Sequence, residues 1–367
     1  MALWRLAGSL QIGGALQIGG ALATFCRITL VLVIALASIL DAGEPARIRF
    51  GVSSVGIGGR PAVGGIVTGL VHARGALEAE FAADGIAVEW TFNKGAGPQT
   101  NEQLAGGLID VAWQGDFPAL IGRAQGLSTR LLLADGRGGF VHLAVHPDAP
   151  ARSLRDLVGK RMVIFKGTAT QLLVARILGQ HGLTERDFKI ITLDAQSSLP
   201  ALYSRDVDAV WGGASFLDLE AQGSVRLVLS TRDPPPAPHR ERIRAYTAIL
   251  AASDFVDRHP AIVQRIVSVF VRTAAWSADP ANTETVIDLW SRSGTSPEVY
   301  RRDLAALPLR ERLSPLLDTQ CLDHLRTVAQ TAFDLRLIRR QVSIDDWPAP
   351  HFLAEALRAQ NLEQFWK

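Results

Sequence analysis

A chain of 367 residues, 48% hydrophobic and 20% charged, is long enough for two globular units and too apolar for disorder to be the starting expectation. The formal charge is +2, and setting aside Arg5, Arg27 and Asp41 with the N-terminal segment leaves 36 basic against 35 acidic residues, or +1. That balance, with no basic run, excludes an electrostatic grip on nucleic acid.

At the N-terminus, Arg5 and Arg27 precede an apolar run over 28–40 that is too short to cross a bilayer comfortably. It reads as the core of a secretory signal cleaved near "DAGEPA", after Ala42. The duplicated "QIGGAL" of 11–22 lengthens this segment, so a retained anchor facing the periplasm is the competing reading. Without the leader and its Cys26, Cys321 is the only cysteine, and no intramolecular disulfide is possible.

From Arg47 short β-like runs alternate with amphipathic stretches: "IRFGV" (48–52), a helix through "VTGLVHARGALEAEFAADG" (67–85), then "IAVEWTF" (86–92). The rhythm continues through "IDVAWQGD", "RLLLADG", "VHLAVHP", "RMVIFKG", "DFKIITLD", "VDAVWGG" and "VRLVLS". Such βαβ alternation predicts an α/β architecture with parallel strands. The Pro-rich "STRDPPPAPHRERIRA" (230–245) leads into a last strand, "YTAILAA", after which the pattern turns helical. Pro260 opens the strongest predicted helix, with Ile262, Ile266, Val269 and Phe270 at helical spacing.

"IFKGTATQLL" (164–173) resembles a phosphate loop out of order, but its lysine precedes its only glycine, so the nucleotide reading fails. What remains is a strand end, a turn at Gly167, and Thr168 or Thr170 capping a helix that starts near Gln171. Such a helix start presents unpaired N–H groups to an anion, although an ordinary capped helix makes the same turn. Three further turns sit at comparable strand ends: "SSVGIGGR" (53–60), "KGAGPQTNEQL" (94–104) and "QGDFPAL" (114–120). Ligands of open α/β sheets bind outside those carboxyl ends. Gly95 and Gly97 let the second turn close tightly before a helix opened by Pro98 or Gln99. In the third, Asp116 is read as a cap before a helix begun by Pro118, with Gly115 and the neighbouring N–H groups as ligand contacts. Lys166 faces either solvent or the anion.

From about Arg47 to Trp347 the chain resembles periplasmic substrate-binding proteins of ABC importers of the sulfonate, taurine and nitrate type. The resemblance rests on "GAGPQTNEQLAGGLIDVAWQGDFPALIGRAQG", "SLRDLVGKRMVIFKGTATQLLVARILGQHGL", "YSRDVDAVWGG" and "LRLIRRQVSIDDW", in that order. It implies the two-lobe type II periplasmic-binding-protein fold, each lobe a mainly parallel sheet flanked by helices, with the ligand in the cleft between lobes. The expected division is a leader over 1–42, one lobe from 45–142 and 243–367, and the other from 143–242. The implied function is capture of a small anionic organic solute and delivery to a membrane permease, by a periplasmic monomer that needs no cofactor and catalyses no reaction. Carried over by position, Ser53, Ser54, Gly56, Gly97, Pro98, Gly115, Asp116, Gly167, Thr168 and Trp211 line the cleft. Thr170 and Arg60 add a hydroxyl and a charge beside the anion. The chain departs from the family at 212–216, where "GGASF" stands in place of an aspartate, a proline and an aromatic residue.

Two other readings compete. Desulfinases and pyrimidine-precursor synthases resemble these binders, but the desulfinase nucleophile is a cysteine, and the first loop offers only Ser53 and Ser54. Cys321 falls in the late helical region, where an inert buried thiol is expected. A ligand-sensing adaptor on the same fold would look identical in sequence. His142 and His146 share a strand face with no third ligand nearby, so no metal site is expected.

Overall fold

A computed structural model describes residues 45–233 and 243–367. The expected leader over 1–42 and the centre of the Pro-rich run, 234–242, lie outside the described residues. From Ala46 to Lys367 the chain folds as one unit built on two five-stranded sheets.

The first sheet takes β1 (Arg47–Val52), β2 (Ala87–Phe92), β3 (Val111–Gly115), β4 (Thr129–Gly139) and β10 (Ala245–Ala252) in the order β2-β1-β3-β10-β4. The second takes β5 (His142–Val145), β6 (Arg161–Val163), β7 (Lys189–Ile191), β8 (Ala209–Gly212) and β9 (Arg226–Ser230) in the order β7-β6-β8-β5-β9. Each sheet holds one strand reversed against both its neighbours, β10 in the first and β5 in the second. These are the strands by which the chain arrives from the other sheet. The expectation of mainly parallel sheets holds, and the one reversed strand in each is what the pattern could not give, because apolar periodicity carries no strand direction.

The helices flank these sheets as the apolar pattern requires. Over 67–85 the single predicted helix is two, α1 (Val67–Ala73) and α2 (Ala76–Phe81), broken at Gly75, whose φ of 58° is left-handed. Next come α3 (Ala96–Ala105) and α4 (Asp116–Ala124), and in the second lobe α5 (Ala169–Gln180), α6 (Ala195–Tyr203) and α7 (Ser215–Ala221). The chain then returns to the first lobe with α8 (Ser253–Arg258), α9 (Pro260–Ser277), α10 (Thr283–Ser291), α11 (Pro297–Ala306), α12 (Leu309–Arg312), α13 (Thr319–Asp334) and α14 (Pro350–Ala359).

Each lobe has its own core. Ile48, Phe50 and Val52 of β1 pack against Ile266 and Phe270 of α9 in the first, and the Phe50 and Phe270 rings stack at 6.0 Å between centroids. Leu143, Met162 and Ile164 meet Val174, Ile177 and Leu178 of α5 in the second. A further cluster joins α13 and Trp347 to α4 and β4, so the C-terminal segment braces the first lobe next to the crossing strands.

Candidate ligand site

The carboxyl ends of β1, β2, β3 and β6 each run into one of the predicted turns. The turns after β2, β3 and β6 meet. A Cβ placed on Gly97 would lie 2.2 Å from Pro118 Cβ and 3.4 Å from the Gly167 carbonyl oxygen. One on Gly167 would lie 2.9 Å from Pro98 Cγ, and one on Gly115 would lie 3.0 Å from Ala169 Cβ. Small residues thus let the starts of α3 and α4, from one lobe, close against the start of α5 from the other. Gly167 also needs its φ of 76°, which a side chain resists.

None of these three helices has a side-chain bond from its N-cap residue, Gly95, Gly115 or Thr168. The positive ends of the three helix dipoles therefore converge on one place, although Ala96, Phe117 and Gln171 N–H are taken by Asn93, Asp116 and Thr168, and Pro98 and Pro118 have no N–H to offer. The turns are held from below. Gln99 Oε1 accepts from Gly95 N–H at 2.9 Å, and Gln171 Oε1 accepts from Gly167 N–H at 2.8 Å. Gln114 donates to Asn101, and Asn101 donates to the Pro118 carbonyl, both at 2.9 Å, tying β3, α3 and α4 together.

Several predicted contacts have different partners. Thr168 is the N-cap of α5, but its hydroxyl donates back to the Phe165 carbonyl at 2.6 Å instead of capping the helix. Gly167 N–H is occupied by Gln171, which leaves the N–H groups of the following residues as the donors of this turn. Thr170 is half-buried in the first helical turn, and α5 begins at Ala169, two residues before Gln171. Helix α3 begins at Ala96, with φ 50°, so Gly97 and half-buried Pro98 lie inside its first turn.

Asp116 is the first residue of α4, two before Pro118. Its buried carboxylate accepts from Phe117 N–H at 2.7 Å and Tyr246 N–H at 3.0 Å, and faces His324 Nε2 at 2.7 Å. It braces the helix start to the returning strand β10, and both its oxygens are engaged there. Trp211 is a correction as well. Its indole is buried in the second lobe's core with Nε1 donating to Met162 Sδ at 3.2 Å, so it does not line the cleft. A strand-end position says nothing about which face a side chain takes.

In the first loop, Ser53 is buried and its hydroxyl donates to Thr100 Oγ1 at 2.8 Å, while half-buried Ser54 makes only a 3.3 Å contact with the Val55 carbonyl. Gly56 is buried against Ser293 and Ala62, and its N–H donates to the Arg60 carbonyl at 2.8 Å. Arg60 is exposed. Below this loop, Asp135 of β4 is fully buried and accepts from Thr68 N–H at 2.9 Å, and burial pushes its carboxyl up to about 7. The sequence reading missed Gln99, Gln171 and Asp135. The spacing Lys-Gly-x-x-x-Gln, at 94–99 and again at 166–171, carried the signal for the two glutamines.

The family model described as NMT1/THI5 like matches residues 81–283, more than half of the chain. The chain belongs to the NMT1/THI5-like family. Among solved structures this family member is similar to a periplasmic sulfonate-binding protein of a sulfonate ABC transporter from Methylobacillus flagellatus KT. The two are 30% identical with a TM-score of 0.70, over 88% of this chain and 96% of that one. It is also 22% identical to an aliphatic sulfonates-binding protein of Bacillus subtilis (strain 168), over 78% of this chain and 84% of the relative. A shorter match, 28% identical over 44% of this chain and 42% of the relative, is to 2'-hydroxybiphenyl-2-sulfinate desulfinase of Rhodococcus erythropolis. The resemblance to sulfonate-type binding proteins and the two-lobe periplasmic-binding-protein fold both hold.

Proposed function

We propose that this protein is the exported solute-binding component of an ABC importer, which closes its lobes on a small aliphatic sulfonate in the periplasm and delivers it to a membrane permease. The convergence of three helix starts lacking N-cap side-chain bonds, from both lobes, carries the reading. A sulfonate has three oxygens and one charge, a set that N–H groups at helix termini satisfy without a full countercharge. Contributions from two lobes make binding and closure one event. The names of the sulfonate-binding relatives support this choice of solute.

The desulfinase match motivates the second reading. Against it, the Ser53 hydroxyl is committed to Thr100, and burial pushes the Cys321 thiol up to about 12, well away from a nucleophilic thiolate.

The test is a thermal-shift and calorimetric screen of the chain from residue 45 with ethanesulfonate, taurine, nitrate and acetate, beside an assay for sulfite release from an aromatic sulfinate. At about 100-fold excess over Kd, a specific sulfonate stabilises the protein by about 2.7 kcal/mol, a shift of several degrees. Stabilisation by sulfonates without sulfite release is the expected result. No response to any anion, or turnover of the sulfinate, overturns the reading.

A further inference from the structure

The chain has only five lysines, at 94, 160, 166, 189 and 367, among 38 basic residues. Two of them hold the same place in the two lobes. Lys94 and Lys166 each follow a strand of their sheet and immediately precede the glycine whose N–H is pinned by a glutamine four residues on. The turns they head are in contact, since Gly97 and Pro98 of one meet Gly167 of the other. Both lysines therefore stand at the lip of the same closure.

Neither is paired. Arginines elsewhere are matched to carboxylates, as Arg49 to Asp110, Arg161 to Asp208 and Arg265 to Glu80 and Asp84. Lys94 and Lys166 are exposed and have no carboxylate partner among the described residues, and neither has exposed Arg60. Arg60 follows Gly59, where a Cβ would lie 3.5 Å from Lys94 Cε and 3.8 Å from its Nζ. The acid closest in sequence to the third turn, Asp116, is engaged by Phe117, Tyr246 and His324. Lys94 thus lies against the first loop at Gly59, and Arg60 reaches toward Gly294, where a Cβ would lie 3.1 Å from its Nη1. Lys166 heads the facing turn, with Glu185, which accepts from Gln171 Nε2 at 3.3 Å, as the acid beside that turn but not paired with the lysine. Like charges so placed repel one another, a cost that an incoming anion removes. Lysine suits that task better than arginine, because its point charge on a flexible stem follows a group of variable position.

We propose that Arg60, Lys94 and Lys166 form a cationic rim that holds the second acidic group of a dianionic solute. The substrate class is then a short aliphatic sulfonate carrying a carboxylate or a second sulfonate a few carbons away. This rests on the sulfonate-binding reading, with the helix starts taking the first group and the rim the second.

The experiment is calorimetry on the chain from residue 45 with ethanesulfonate, 1,2-ethanedisulfonate and 3-sulfopropanoate at fixed ionic strength. A dianion is expected to bind about tenfold more tightly than the monosulfonate. Lys94→Gln and Lys166→Gln each lower that ratio about threefold, while Lys160→Gln, in a cavity lined by His146, Asp148 and Arg205, leaves it unchanged. Ethanesulfonate binding with no advantage for the dianions overturns the rim and leaves the sulfonate reading standing. A ratio unaffected by either substitution, or faster association with equal Kd, also overturns the rim. Failure of every sulfonate to bind overturns both readings.

Discussion

Asp135 and His142 are buried ionisable side chains that the folded protein holds in their neutral forms. Burial raises the Asp135 carboxyl from its ordinary 3.8 to about 7. The unfolded chain therefore releases that proton near pH 4 while the folded one keeps it, and stability falls as pH rises from about 4 to about 7, by at most roughly 4 kcal/mol. His142 acts in the opposite sense. Neither of its ring nitrogens has a hydrogen-bond partner, and burial, with Arg232 and Arg302 adding to it, lowers its pKa from 6.5 to about 4. Stability is lost as pH falls from about 6.5 to about 4, so the two slopes oppose each other over most of that window. Asp135→Asn keeps an acceptor for Thr68 N–H and is expected to expose the histidine slope, giving denaturant midpoints that climb from pH 4 to 6.5. His142→Phe exposes the carboxyl slope, with midpoints that fall from pH 4 to 7. Profiles that match the unsubstituted protein would show that neither group is held neutral.

Among the elements, the junction of α3, α4 and α5 is the most tightly specified. Gly167→Val adds a Cβ where φ is 76° and Pro98 lies 2.9 Å away, so it strains the turn and pushes the two lobes apart at the site. The expected outcome is at least a tenfold loss of sulfonate affinity, with a stability loss of about 1–3 kcal/mol from the backbone strain. Calorimetry and thermal melts read the two effects separately, and unchanged affinity would remove this turn from the site. The strands from 48 to 252 were legible in the sequence because the central ones, covered on both faces, read as short apolar runs and the edge strand β2 alternates along its length. The reversal of β5 and β10 was not, since such a run has no direction. The break at Gly75 was hidden because amphipathic spacing continues across it. In the candidate site, the glycines were legible as turn residues. Their glutamine braces, the backward bond of Thr168 and the inward face of Trp211 were not, because each depends on where a side chain turns after the backbone is placed.

For the whole molecule, the lobes are joined by two backbone crossings and held by polar bridges to one helix. The first crossing is Phe140–Val141, between β4 and β5, and the second runs from β9 to β10. Near these crossings the pairing of β10 with β4 carries register shifts at Ala245/Tyr246 and Thr247/Ala248, places where a sheet bends readily. Away from the crossings, Asp218 of α7 accepts from Ser296 N–H at 2.9 Å at the start of α11. Arg232 donates to the Arg302 carbonyl at 2.8 Å and pairs with Asp303 at 3.3 Å toward the other end of that helix. Arg232 lies on the second crossing itself, whereas the Asp218–Ser296 bond joins α7 of one lobe to α11 of the other and so favours the arrangement in which the lobes meet. Asp218→Ala is expected to lower the closed population and weaken apparent affinity by about threefold to tenfold, because only the competent fraction binds. A larger radius of gyration in small-angle scattering, restored by ligand, would accompany it. Equal scattering and affinity would show that the bridge does not bias closure.

The buried thiol of Cys321 has a practical corollary. It is 3% exposed in the core cluster under α13, and a chain beginning at residue 45 has no other cysteine. Maleimide dyes would therefore find no native target on the folded protein. One cysteine introduced at an open position beside the second lobe's strand ends, such as exposed Gly213, would carry the dye alone. Lobe movement would then be visible as a change in fluorescence, turning the protein into its own optical sensor for the solute it captures.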